Sequence, residues 1–215
     1  VYGDKTSGKN LKDIFPYMDN LPDVKVSSYK DFKSNSCDLV FLCLPHMMSE
    51  KIIDVIKSQR VIDLSSDFRI RDEKNYYEWY DAKHPKPDLL NKFIYGLSEL
   101  NRNKIKNAHF IANPGCYPTS ILIPVLPLCK ENILSIDQII IDSKSGLSGA
   151  GMSLSTNKLF FEVNENFLAY NIEKHRHLGE IKQEIHRYNC NIDITFVPHL
   201  LPISRGILSS IYFNG

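Results

Sequence analysis

Hydrophobic and polar positions follow two different styles along this chain. Between residues 38 and 64 they predict a strand, a helix and a second strand. Asp38-Leu39-Val40-Phe41-Leu42-Cys43-Leu44 is almost wholly apolar, as are strands buried on both faces of a parallel sheet. Ser49 is placed to cap a helix running to Lys57, with Ile52, Ile53 and Ile56 on one stripe. Val61-Ile62-Asp63-Leu64 supplies the next strand, and a right-handed crossover makes the two parallel neighbours. The stretch 72–91, polar and aromatic with Pro85 and Pro87, reads as a surface excursion. Ser98 opens a short helix, and a short apolar strand from Ala108 to Ala112 runs into Asn113-Pro114-Gly115-Cys116.

The second half is patterned differently. Ile136 to Ser143 is a strand, followed by the Gly/Ser loop from Ser145 to Gly151. The stretch 176–189 has helical spacing through Leu178, Ile181, Ile185 and Tyr188, while Ile192 to Val197 and Gly206 to Phe213 alternate as strands. Strands with few helices between them indicate an α+β unit. The expected division is a dinucleotide-binding domain over 1–112 and a second, α+β domain over 113–215. Val1 to Asn10 read as the segment after a second Rossmann strand, so the first βα unit is expected upstream. The closing strand has nothing after it to cover it, which reads as a fragment at that end too.

Composition narrows the classes. The chain of 215 residues carries a formal net charge of +1, with no global basic field to suggest nucleic acid or an anionic membrane. No apolar run reaches the roughly 18 residues of a membrane span, and neither a span nor a secretory leader is expected. Five cysteines, an odd count without a C-x-x-C pair, suggest a reducing compartment and thus the cytoplasm. Cys37, Cys43 and Cys129 are read as small core residues.

Cys116 is the most telling position. A cysteine at a helix mouth meets unpaired N–H groups and the positive end of the helix dipole, which lower a thiol's pKa; the alternative is an inert cysteine packed inward. Asn113 offers an amide to a substrate oxygen. In His175-Arg176-His177-Leu178-Gly179-Glu180, a helix start places His177 and Glu180 on one face, where the carboxylate could orient the imidazole as a general acid/base; a solvated helix start is the alternative. No third ligand accompanies the H-x-H pair, so no metal is predicted. The loop Ser145–Gly151 could bring backbone N–H groups to an anion or a flat ring, or be a simple turn. No G-x-G-x-x-G follows a strand. Arg69 follows the C-terminal end of a parallel strand, the edge where ligands of open α/β sheets gather, or it pairs with Asp67 or Asp72. Pro45-His46 lies on that same edge. His199 and Arg205 are polar points in an apolar connection, with a structural pair as the plain alternative.

Together Ala112-Asn113-Pro114-Gly115-Cys116-Tyr117-Pro118-Thr119, Val61 to Arg69, Tyr95 to Asn101, Lys144 to Gly151, the His-Arg-His cluster and Pro198 to Gly206 resemble the N-acetyl-γ-glutamyl-phosphate reductase family, in its order over nearly the whole chain. The resemblance implies an α/β fold of the aspartate-semialdehyde dehydrogenase type: an NADP-binding Rossmann domain, here lacking its Gly-rich loop, then an α+β catalytic and dimerisation domain lacking its last stretch. It implies Cys116 as nucleophile, His177 as general acid/base and Glu180 as its orienting partner. Asn113, Arg69, His175 and Arg205 would meet the substrate; Pro45, His46, Ser148, Gly149, Ala150 and Gly151 would meet NADP(H). The implied activity is NADPH-dependent reduction of an acyl phosphate through a cysteine thioester, in arginine biosynthesis. The implied assembly is a cytoplasmic homo-oligomer, dimer or tetramer, acting on a small molecule. A sister semialdehyde dehydrogenase, or an inactive binding module, is the alternative. One departure stands out: Leu178-Gly179 replaces the Thr-Pro expected after the second histidine.

Overall fold

A computed structural model describes residues 1–18, 20–33, 37–56, 60–131, 135–151, 159–188 and 192–215. Lys57 and Cys190, and with them the ends of two predicted helices, lie outside these. The strands are β1 (Tyr2–Gly3), β2 (Ser27–Ser28), β3 (Leu39–Leu42), β4 (Arg60–Asp63), β5 (Phe93–Tyr95), β6 (Phe110–Ala112), β7 (Gln138–Ser145), β8 (Leu168–Ala169), β9 (Asp193–Leu200) and β10 (Ile207–Asn214). The α-helices are α1 (Leu11–Ile14), α2 (Ser49–Ile52), α3 (Glu73–Tyr80), α4 (Pro87–Leu90), α5 (Ser98–Lys106), α6 (Cys116–Lys130), α7 (Phe160–Val163) and α8 (His177–Ile185).

Among the described residues, β3-β4-β6-β5 form one sheet in that order, every pair parallel. All four strands therefore end at one edge, and the loops carrying His46, Arg69, Gly96 and Cys116 leave from it. The second sheet runs β10-β7-β9-β8, with β7 and β9 parallel and the outer pairs antiparallel. Helices α6 and α8 cover one of its faces. Ile121, Leu122 and Val125 of α6 and Leu178, Ile181 and Ile185 of α8 pack on Ile139, Ile141, Ile194 and Phe196. Tyr95 and Leu97, from the edge of the first sheet, join this same core. That junction places the Cys116 turn, at the first sheet's edge, against the N-terminus of α8.

The structure corrects or sharpens several sequence expectations. Leu39 and Phe41 are 41% and 58% exposed, because β3 is an edge strand of its sheet and only one of its faces is covered. Ser49 is not a cap: it is the first residue of α2, and its hydroxyl donates to Asp63 Oδ1 at 2.8 Å. The helical segment continues as a 3-10 turn, Ile53–Val55. The stretch 72–91 lies largely at the surface, as expected, but it is built as α3 and α4 and anchored by three buried side chains. Asp72 caps α3 through the Asn75 N–H, and Tyr76, His84 and Leu90 are the buried anchors. Cys37 is only partly buried and Cys43 is exposed, because β3 lies at the edge, whereas Cys129 of α6 is partly buried against the core.

Candidate active site

The turn before Cys116 is tied down group by group. Asn113 N–H donates to Asp63 O at 2.8 Å, extending the β4–β6 pairing past the last strand residue. Arg69 Nε donates to Asn113 O at 2.7 Å and Nη2 to Leu64 O at 2.8 Å. Gly115 N–H donates to Glu180 Oε1 at 2.8 Å. Gly115 is required by crowding, since its φ of −64° suits any residue. A Cβ there would stand 2.6 Å from His177 Nε2 and 2.9 Å from Arg69 Nη1.

Cys116 opens α6, with Gly115 as N-cap and Pro118 in the first turn, where its missing N–H costs nothing. The expected lowering of its thiol pKa is overturned. The residue reaches solvent, but the protein atoms around the thiol strip away enough hydration to push its pKa above the ordinary value. The N–H groups of Tyr117 and Cys116 and the Arg69 cation pull it down; Glu180 pushes it up. Desolvation wins, so the resting group is a thiol.

His177 faces this turn through Nε2, and its Nδ1 is buried without a hydrogen-bond partner. Burial holds its pKa well below the usual histidine value, with His175, Arg69 and Arg176 acting in the same direction. The imidazole is uncharged at neutral pH. The expected His177–Glu180 bond is not made. Glu180, wholly buried, turns toward β5: its Oε1 takes both the Tyr95 hydroxyl at 2.6 Å and the Gly115 N–H. Its Oε2 lies 3.6 Å from Arg69 Nη1. Satisfying an otherwise orphaned N–H of the turn outweighs a side-chain contact on its own helix. Burial pushes the Glu180 pKa up, against Arg69, Tyr95 and the Gly115 N–H. Sequence reasoning misses Tyr95 as a member of this site; its one signal there is its place at the start of the Tyr95 to Asn101 motif.

Arg69 and Asn113 are both engaged with the turn. Arg69 is 7% exposed; its Nε and Nη2 donate to the two loop carbonyls, and its Nη1 faces Glu180. The Asn113 amide donates to Pro114 O at 3.2 Å. Both hold the turn itself.

His175 lies beside His177, ring centroids 4.7 Å apart, and meets Tyr117, Tyr170 and Phe196 edge-on. Burial lowers its pKa to about 4. Its Nδ1 accepts the His177 N–H at 3.1 Å, which leaves Nε2 as the proton-bearing donor of a neutral ring. His199 pairs with Asp142 at 3.1 Å, the plain structural reading. The 3-10 turn Leu147–Ala150 is not an anion nest. The N–H groups of Gly146, Leu147 and Ser148 go to carbonyls of Gly206, Ile203 and Ser204. Ser148, Gly149, Ala150 and Gly151 face solvent, as does Arg205 on the docked loop.

At the other end of the sheet edge, His46 Nδ1 meets Asp67 Oδ1 at 2.7 Å, and Asp67 also takes the N–H groups of Met47 and Ser49. Nδ1 is placed to donate to that carboxylate, and Nε2 is buried with no hydrogen-bond partner. Pro45 beside it is exposed. Gly179 has a packing role: a Cβ there would stand 2.3 Å from Cδ1 of Trp79. Among the described residues no group of three or more His, Cys, Asp or Glu could hold a metal ion. No helix among them is long and apolar enough to cross a membrane.

Comparison with known proteins bears on this site. Residues 1–108 match the family described as semialdehyde dehydrogenase, NAD binding domain, and residues 116–215 its dimerisation domain. The chain is 46% identical over 211 residues to N-acetyl-gamma-glutamyl-phosphate reductase of Alkaliphilus metalliredigens, covering 95% of the chain and 60% of that protein. It is 44% identical over 214 residues to the Ehrlichia canis protein of the same name, covering 98% of the chain and 62% of that protein. The chain thus spans about three fifths of these relatives' length. Among solved structures, aspartate semialdehyde dehydrogenase II from Vibrio cholerae superposes with a TM-score of 0.66 at 17% identity, over 99% of this chain and 64% of that one. The enzyme with NADP from Candida albicans gives 0.61 at 13%, over 99% and 62%.

Proposed function

Because the chain belongs to the semialdehyde dehydrogenase family and has that fold, we propose that its protein reduces N-acetyl-γ-glutamyl phosphate to N-acetylglutamate 5-semialdehyde, releasing phosphate, as a step of arginine biosynthesis. The relatives' names support the substrate. One observation carries the chemistry: an uncharged imidazole, His177, has its Nε2 against the glycine that precedes a helix-start thiol, Cys116. In this reading 1–112 serves the dinucleotide, and 113–215 serves catalysis and dimerisation in a cytoplasmic homo-oligomer.

A thiol held above its usual pKa needs a base, and a neutral imidazole is one. The Cys116 sulfur bonds to the acyl carbon while its proton passes to His177 Nε2. The N–H groups of Cys116 and Tyr117 ease negative charge at the sulfur. Charge on the attacked carbonyl oxygen develops at the same helix start, where one well-placed donor contributes roughly 3 kcal/mol. The tetrahedral centre collapses as the C–O bond to phosphate breaks, leaving a Cys116 thioester. His177 returns its proton to the sulfur when the aldehyde departs. His175 Nε2–H and the exposed Arg205 are the groups proposed to meet the substrate's own oxygens.

A nicotinamide, when bound, supplies the hydride that takes the thioester to the aldehyde level. The residues fit NADP(H): the unpartnered His46 Nε2 suits a ribose hydroxyl, with Pro45 beside it. The exposed Ser148, Gly149, Ala150 and Gly151 offer a small-residue surface to a flat ring. The test is NADPH oxidation by the whole protein with the acyl phosphate. One phosphate per NADPH in wild type, and loss of both in Cys116→Ala, is expected; unchanged turnover in that variant contradicts the reading.

A further inference from the structure

We propose that Tyr95 is a positioning residue for the nucleophile: its hydroxyl holds the Glu180 carboxylate against the Gly115 N–H and so fixes the turn that presents Cys116. The inference rests on the reading of Cys116 as nucleophile and adds a residue that touches neither substrate nor sulfur.

Three elements meet at one oxygen. Tyr95 ends β5, and its backbone is locked: its carbonyl accepts Asn101 Nδ2 at 2.9 Å, and the next N–H, Gly96, donates to Ala112 O at 2.8 Å. Its ring is buried with the α6–α8 core. From that fixed base the hydroxyl reaches Glu180 Oε1 at 2.6 Å, and the same oxygen receives Gly115 N–H at 2.8 Å. Arg69 Nη1, 3.6 Å from Oε2, is beyond hydrogen-bond length. The carboxylate's short contacts are thus one phenol and one turn N–H. Arg69 grips the turn from the other side through Asn113 O. The nucleophile turn is clamped between a carbonyl held by a cation and an N–H held by an anion, and Tyr95 sets where that anion stands.

The charged and titratable groups that act on Glu180 come from every element around it. Arg69 follows β4, Tyr95 is on β5, and Glu184 lies one turn along α8; Cys116 on α6 and Tyr80 on α3 feel its charge in turn. Removing the phenol donor leaves the buried carboxylate with one short contact, so it takes up a proton more readily. With one anchor gone, the carboxylate no longer holds the Gly115 N–H in one place, and its distance from the thiol, whose ionisation it opposes, is no longer fixed.

The test measures kcat, KM and the pH dependence of Cys116 alkylation by iodoacetamide in the whole protein, with the site identified by mass spectrometry. Tyr95→Phe is expected to lower kcat about tenfold, the scale of one lost hydrogen bond, with KM within about twofold and the alkylation midpoint displaced from its wild-type pH. A variant with wild-type kcat and midpoint overturns the inference. A wild type in which Cys116 shows no preferential alkylation and forms no thioester overturns the underlying reading too, which separates the two failures. Should the Phe variant not fold, 3-fluorotyrosine at position 95, a stronger donor of nearly the same shape, is expected to displace the midpoint and change kcat; neither moving counts against the proposal.

Discussion

His177 Nε2 lies so close to Gly115 that a single methyl group there would stand 2.6 Å from it. The contact joins the proposed base to the residue before the nucleophile. Gly115→Ala must displace the imidazole, Arg69 or the turn, because the same methyl meets Arg69 Nη1 at 2.9 Å. Its cost is expected at about 1–3 kcal/mol of stability, the range for overpacking, with a kcat loss of at least about a hundredfold, the scale of a misplaced catalytic group. Thermal unfolding and steady-state kinetics on the variant check both. Full activity would mean that the contact is idle.

Removing the buried carboxylate is expected to do more harm than neutralising it in place. Glu180→Ala leaves Arg69 facing an empty site and orphans the Gly115 N–H and the Tyr95 hydroxyl. Breaking such a buried pair costs about 3–5 kcal/mol. Glu180→Gln keeps an acceptor oxygen and is expected to lose less than half of that. Urea unfolding of the two variants compares them directly; equal losses would show that the hydrogen bonds contribute little.

The two histidines make stability fall on the acid side. His175 folds with a pKa of about 4, below the ordinary histidine value of 6.5, because burial opposes its charge. The unfolded chain therefore binds the extra proton first. Stability from this group is complete above pH 6.5 and is lost as pH falls through 4, by roughly 3 kcal/mol. His177 acts in the same direction. Urea unfolding at pH 7 and pH 4 is expected to show a smaller difference in His175→Gln than in wild type. An equal difference would place the acid sensitivity elsewhere.

Much of this architecture is legible in the sequence, and what is not has a common cause. The Asn-Pro-Gly turn and the apolar run after it announce a helix beginning at Cys116, and α6 starts there. The βαβ pattern from 38 to 64 gives β3 and β4 as parallel neighbours. Local spacing misleads where a partner lies far along the chain. His177 and Glu180 share a helix face, but Glu180 is claimed by Gly115 and Tyr95, 65 and 85 residues away. Arg69 reads as a ligand residue at the sheet edge, and spacing gives no sign that its Nε also donates to Asn113 O, 44 residues on. The helix start alone suggests a reactive thiol; the desolvation that outweighs it comes from the whole fold.

Gly179 stands where the resemblance implies a proline, and its packing is tight. The indole of Trp79 occupies the space a side chain would need, with Lys182 Nζ 5.9 Å from its ring centroid. Gly179→Ala is expected to destabilise by about 1–3 kcal/mol and to shift the emission of Trp79, the one tryptophan of this chain. Unaltered emission and melting temperature would show that the indole yields at no cost.

Central to the proposed chemistry is a covalent bond at Cys116. Mixing the whole protein with N-acetyl-γ-glutamyl phosphate in the absence of NADPH, then measuring intact mass and peptide masses, reads that bond directly. The predicted result is one acyl group per chain on the peptide containing Cys116, removed by hydroxylamine and absent in Cys116→Ala. Acylation at another residue, or phosphate release that persists in Cys116→Ala, would contradict it.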